Sequence, residues 1–139
     1  MNRSTFLVII LGLLLFCSGA IAQTGDGSLV TWGADCYGLV SDAPVETGFI
    51  QVACGQSHSL ALKANGSIVD WGSDYYGQVS GTPTETGFIQ IACGQNHSLA
   101  LKADGSIVTW GYDYYGQVSD APAGTGFIQV AGGGNHSLA

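Results

Sequence analysis

Positive charge is what this 139-residue chain has least of: one arginine, Arg3, and two lysines, Lys63 and Lys102, stand against ten acids. Arg3 lies in a segment that reads as an export leader. Downstream of residue 22 two lysines therefore face all ten carboxylates, a net charge of about minus eight. Nucleic-acid binders draw their affinity from clustered Lys and Arg that displace counterions from phosphate, and there is nothing here to cluster. The same deficit argues against adsorption to anionic lipid. Catalytic signatures are missing as well. The chain has no Gly-x-Ser-x-Gly nucleophile and no glycine-rich phosphate loop opening a helix. Asp70 stands where Thr31 and Thr109 stand in neighbouring units, a single-copy variation and not half of an acid/base pair. We expect no enzyme, no catalytic residue, no metal and no cofactor.

Long apolar runs are scarce too. Phe6–Phe16 follows Arg3, is too short to span a bilayer with margin, and precedes Ala20-Ile21-Ala22, a small-x-small cleavage site. Residues 1–22 are expected to be a signal peptide cleaved after Ala22, and the product secreted or otherwise extracytoplasmic, without membrane attachment. An uncleaved anchor is the alternative, but no charged stop-transfer cluster follows. Cys17 raises a lipoprotein reading that bulky Phe16 opposes. Cys36, Cys54 and Cys93 remain after cleavage, an odd count that leaves at least one unpaired. Cys54 and Cys93 share a repeat position filled by Gly132 in the last unit, which points to tight packing of a small residue over a disulfide or a metal ligand.

What the chain does have is repetition. Residues 49–87 and 88–126 are the same at 30 of 39 aligned positions, and Trp32, Trp71 and Trp110 recur at that spacing, as do His58, His97 and His136. A fixed period in this range signals a repeat architecture. Each unit holds short apolar runs of strand period, such as His58–Lys63, where His58, Leu60 and Leu62 alternate with Ser59, Ala61 and Lys63. Asn65-Gly66 and Asp104-Gly105 stand between two such runs, and we expect type I′ hairpin turns there. The unit is then a three-stranded antiparallel meander, with 74–79 as a fourth outer strand or a fixed loop. Its faces, Ile50, Val52 and Cys54 against Phe49, Gln51 and Ala53, carry apolar residues on both sides. Such a sheet must be sandwiched by copies of itself, as in propeller blades or a stacked solenoid.

The strings GQSHSLALKANGSIVDWGSDYYGQ and GQNHSLALKADGSIVTWGYDYYGQ resemble the repeat of the regulator of chromosome condensation family, in its short-period exported bacterial form. The resemblance covers nearly all of residues 26–139. It implies an all-β protein of antiparallel β-propeller blades. One departure is Asp35, Asp74 and Asp113 where the family usually has Asn. The larger one is blade count: the repeat region, 23–139, divides into a partial blade 23–48, blades 49–87 and 88–126, and a partial blade 127–139. The two ends together make one more unit, yet about three blades do not close a ring. The chain stops inside a strand whose earlier copies continue. An incomplete ring or fragment from a longer gene is expected, or alternatively self-association that completes the ring between chains.

The candidate residues follow. Three histidines at one repeat position invite a metal reading, but zinc needs ligands about 2 Å from a shared centre and blades hold equivalent residues farther apart. Each imidazole is expected to bond backbone of its own or the next blade, and the tryptophans to pack between blades. The loops 34–37, 73–76 and 112–115 concentrate Asp and Tyr, which bury area at interfaces while keeping a polar handle. Asp74, Tyr75, Tyr76, Asp113, Tyr114 and Tyr115 are the candidate binding residues, for an unknown protein or glycan. The resemblance offers guanine-nucleotide exchange on a small GTPase as an alternative, which export and acidity oppose. Inhibition of an enzyme such as a β-lactamase, or a structural part of a larger surface protein, are further alternatives.

Overall fold

The structure, a computed structural model, describes residues 20–23 and 25–139. The expected leader therefore lies outside the described residues except at its end. Ten strands follow in chain order: β1 (Ala20–Gln23), β2 (Leu29–Trp32), β3 (Phe49–Cys54), β4 (His58–Lys63), β5 (Ile68–Gly72), β6 (Phe88–Cys93), β7 (His97–Lys102), β8 (Ile107–Gly111), β9 (Ala131–Gly132) and β10 (Ser137–Leu138). A 3₁₀ turn at Cys36–Gly38 is the one helical element among the described residues. The strands form antiparallel sheets, β3-β4-β5 and β6-β7-β8 of three strands, β1-β2 and β9-β10 of two. The two partial sheets do not pair with each other, so the chain ends do not zip into a composite blade. Ala20 lies opposite Trp32 as Ser59 lies opposite Trp71. β1 thus occupies the place of a middle strand, and the expected cleavage point after Ala22 falls inside it.

Two local expectations are corrected. The β4–β5 turn is not type I′, because only Gly66 takes positive φ (80°) while Asn65 does not. Gly66 N donates to Lys63 O at 2.9 Å and Lys63 N to Ser67 O at 2.9 Å, a type I turn followed by a glycine bulge. Asn65 serves differently, its Oδ1 accepting from Ser67 N (3.0 Å) and Ser67 Oγ (2.7 Å). Gly66 is also needed for closeness, since a Cβ there would sit 2.6 Å from Gly87 N. Second, simple alternation along β3 fails. A bulge between Phe49 and Gln51 shifts the register, so Phe49 joins Val52 on one buried face and Ile50 is turned out, 56% exposed. Of the two readings of 74–79, a fourth outer strand or a fixed loop, the structure has the loop.

With both faces apolar, the sheets stack against each other. Leu60 and Leu62 of β4 pack on Phe88 and Ile91 of β6, Ala100 of β7 and Trp110 of β8, all at most 5% exposed. Phe49, Ala61 and Trp71 form the cluster on the other face of the first full sheet. Burying each Leu or Phe contributes about 1.5–3 kcal/mol, so the sheet-to-sheet seams hold most of the stability.

Polar cross-links stitch each seam, always reaching one unit on. The Gln51 amide acts as a piece of strand, Nε2 donating to Ile91 O and Oε1 accepting from Ile91 N, both at 3.0 Å. Gln90 does the same to Val130. Gln56 N donates to Gln95 O at 2.9 Å, and Gln95 N to Gly134 O at 3.2 Å. His58 Nε2 lies 2.9 Å from Ser98 Oγ, and His97 Nε2 3.0 Å from Ser137 Oγ. The imidazoles therefore bond a hydroxyl of the next blade where backbone was expected. Glycines 55 and 94 leave room for them, since a Cβ there would collide with the ring of His58 or His97.

Burial of the His58 ring, with His97 nearby, pushes its pKa down to about 4. The unfolded chain then binds protons that the folded one refuses, so stability is full above pH 6.5 and is lost as pH falls toward 4. We expect thermal unfolding followed by circular dichroism to show a loss on the order of 2 kcal/mol between pH 7 and pH 5. Asp70 has the opposite sign. Burial pushes its carboxyl up to about 8, Oδ2 accepts from Thr82 Oγ1 at 3.2 Å, and Oδ1 has no partner. Its contribution is present below pH 4 and lost as pH rises through 8. Asp70→Thr installs the residue whose copy, Thr109, donates to Val118 O at 3.0 Å. Its stability relative to wild type, read by urea denaturation, should climb between pH 5 and pH 9 by an amount on the order of a few kcal/mol. A pH-independent difference would show the carboxyl to be ionised throughout.

Candidate functional site

After β5 pairs Gly72 with His58, the chain leaves the sheet at its His58 end, opposite the lysine hairpins. The loop that follows is closed by its own aspartate. Asp74 Oδ1 accepts from Val79 N (2.9 Å), Ser80 N (2.8 Å) and Ser80 Oγ (3.1 Å). Asp113 accepts from Val118 N and Ser119 N, each at 2.8 Å, and Asp35 from Val40 N and Ser41 N at 2.8 and 3.0 Å. These backbone bonds hold all three carboxyls below the usual carboxylate range, the serine amide being the larger cause in each. Asp74 and Asp113 therefore first serve to shape the loop. Asn at the same place would supply the same Oδ1 acceptor.

Two further groups fix the loop. Gln78, buried, accepts from Tyr76 N at 2.7 Å, and Gln117 from Tyr115 N at 2.9 Å. In the first unit Leu39 replaces this glutamine, and there Tyr37 adopts φ 60° within the 3₁₀ turn. From the next blade the indole of Trp110 donates to Gln78 O at 2.9 Å, and that of Trp71 to Leu39 O at 3.1 Å. Trp71 and Trp110 are each 5% exposed and pack between sheets as expected. Trp32 is half exposed. His58 and His97 are buried in the seams and His136 is exposed, so the three do not meet as a ligand set.

The tyrosines are left outward. Tyr75, Tyr76, Tyr114 and Tyr115 are all exposed, Tyr75 at 83%. They are nevertheless one surface. Tyr75 meets Tyr76 edge to face at 4.8 Å between centroids, Tyr76 meets Tyr112 at 4.5 Å, and Tyr114 meets Tyr115 at 4.9 Å. Tyr112 also stacks near Tyr114, 6.3 Å away and inclined by 11°. Tyr112 thus bridges the loops of two blades, a role that sequence reasoning did not assign to it. The signal was its substitution for Ser73 of the preceding unit. Tyr37, alone in its loop, stands outside this group among the described residues. The arrangement offers aromatic area with phenolic hydroxyls on a fixed backbone.

Residues 49–78 and 88–117 match the Regulator of chromosome condensation (RCC1) repeat. The fold is similar to the ectodomain of the Physcomitrella patens receptor kinase CR4, with TM-score 0.65 and 26% identity over 82% of this chain and 33% of that one. It is similar also to the CRINKLY WD40 ectodomain of the Arabidopsis thaliana receptor kinase ACR4, with TM-score 0.60 and 26% identity over 82% and 38%. Yeast RCC1 (Prp20), solved bound to Kap60, superposes with TM-score 0.69 at 22% identity, over 88% and 37%. The chain spans between a third and two fifths of these solved chains. No curated protein matches it. The sheets are thus antiparallel blades of a β-propeller.

The loop architecture makes a direct prediction. Asp74→Ala removes three accepted bonds and should lower stability by about 1–2 kcal/mol, whereas Asp74→Asn should stay within about 0.5 kcal/mol of wild type. Urea denaturation of the two variants checks it. Equal losses would mean that charge, and not the Oδ1 acceptor, holds the loop.

Proposed function

From a chain whose two central units are regulator of chromosome condensation repeats, we propose a non-enzymatic, exported interaction module whose tyrosine loops bind a protein or glycan partner. The single observation that carries this reading is the continuous patch of five tyrosine rings spanning two blades, four of them exposed and Tyr112 half-buried between them, with backbone clamped beneath it. Tyrosine gives large amphipathic contact area at low entropic cost, since only two side-chain torsions need be ordered. Each loop is pre-formed by Asp, Gln and the next blade's Trp, so a partner need not order it first. Export rests on Arg3, the Phe6–Phe16 run and the Ala20-Ile21-Ala22 site. Two of the similar solved chains are ectodomains, which accords with a propeller working outside a cell.

Glycan and extracellular-protein arrays probed with the full chain and with Tyr75→Ala/Tyr76→Ala/Tyr114→Ala/Tyr115→Ala test the proposal. These side chains are exposed, so the variant should fold with little change in melting temperature. Binding should fall at least about tenfold, as loss of aromatic interface anchors does. Undiminished binding would remove the loops from the function.

A further inference from the structure

We propose that the tyrosine patch takes a basic segment of a partner protein, seating Lys or Arg side chains over open ring faces beside the carboxylates of Asp74 and Asp113. This rests on the reading of the patch as a binding surface and names the chemistry of its partner.

Three observations carry it. The first is charge. Each aromatic pair is immediately preceded by an aspartate, Asp74-Tyr75-Tyr76 and Asp113-Tyr114-Tyr115, and both aspartates are solvent-exposed. Their Oδ1 atoms are taken by the loop, which fixes the carboxylates in place and keeps them ionised. The second is where the chain's own cations lie. Lys63 and Lys102 are at the opposite, hairpin end of their sheets, each 2.7 Å from a carboxylate, Glu46 or Glu85, and 5.6 Å from the centroid of Phe49 or Phe88. Among the described residues no lysine or arginine is left to neutralise the tyrosine patch. Moreover, the chain itself already pairs ammonium, carboxylate and aromatic ring at its other end, twice. The third is shape. Tyr75–Tyr76, Tyr112–Tyr115 and Tyr114–Tyr115 cross at 86°, 80° and 88°. Rings set edge to face make a ridged surface whose open faces point in different directions. Cationic side chains settle on single ring faces. Among the described residues only Tyr112 and Tyr114 lie nearly parallel, at 11° with centroids 6.3 Å apart, so the flat face of a sugar would find at most that one pair.

The test immobilises the full chain and measures binding of a Lys/Arg-Gly-Ser decapeptide, its acetyl-lysine and citrulline counterpart, and the neutral oligosaccharide cellohexaose. The basic peptide should bind, with affinity falling as salt is raised, and its neutralised counterpart at least about tenfold more weakly. Asp74→Asn/Asp113→Asn keeps the loop acceptors and should weaken peptide binding about fivefold. Glu46→Gln/Glu85→Gln removes the same number of carboxylates at the hairpin end and should change it less than about twofold. Equal effects of the two pairs would mean diffuse attraction to an acidic protein and would overturn the proposal. So would equal binding of the neutralised peptide. Cellohexaose binding that is lost in the four-tyrosine variant, with no binding of the basic peptide, also sinks the basic partner but leaves the patch as a binding surface. Peptide binding that survives in the four-tyrosine variant sinks both.

Discussion

A sheet of three strands with apolar residues on both faces is unstable alone in water, and nearly every feature of this chain answers that one constraint. Leu60 and Leu62 leave one face of a blade and meet Phe88, Ile91 and Trp110 of the next. Because the hydrophobic attraction has no preferred direction, it brings sheets together without deciding how they are aligned. Alignment comes from polar groups that each find their partner one unit on. The amide of Gln51 reads the backbone of Ile91, and the imidazole of His58 meets the hydroxyl of Ser98. A buried amide or imidazole left unpaired costs more than a bond returns, so these pairs act as registration pins.

The same dependence of one blade on the next sets the tyrosine surface. The loop carrying Tyr75 and Tyr76 emerges from one blade, but its backbone is tied down by the indole of Trp110 in the following blade. Tyr112, from that following blade, then fills the space beside Tyr76. A surface assembled this way cannot belong to a single repeat. It exists because two repeats are held at a fixed offset, and its rigidity is borrowed from the seam beneath it. Asp70 shows what happens when a unit departs from the pattern: a carboxyl placed in that seam reaches Thr82 and, at 3.4 Å, Trp110, yet keeps one oxygen without a partner.

Reading the residues in order recovered much of this and missed instructive parts. The 39-residue spacing, the strand-period runs and the turns at Asn65-Gly66 and Asp104-Gly105 lead to stacked antiparallel meanders, and stacked meanders are found. Alternation misplaced Ile50, because a bulge inserts one residue and reverses the phase of the strand before it. The turn type was missed because Asn65 supplies a side-chain acceptor where a positive φ was expected of it. Asp74 and Asp113 stand among the candidate binding residues, and what the residue order does not show is that their carboxylates also close the loops that present the tyrosines. The glutamines of the Gly-Gln pairs drew no notice, although Gln78 and Gln117 hold the tyrosine backbone.

What the amino-acid order determines by itself is periodicity, strand character and the doubled apolar pattern, since these follow from side-chain spacing along an extended chain. It also determines the acidity of the surface, for charge is a property of composition. Only the tertiary structure decides which residues from different repeats become neighbours. Tyr76 and Tyr112 touch because two blades are set side by side, and the carboxyl of Asp70 meets the indole of Trp110 for the same reason. Those contacts depend on the distance and angle between sheets, which no local pattern of residues encodes.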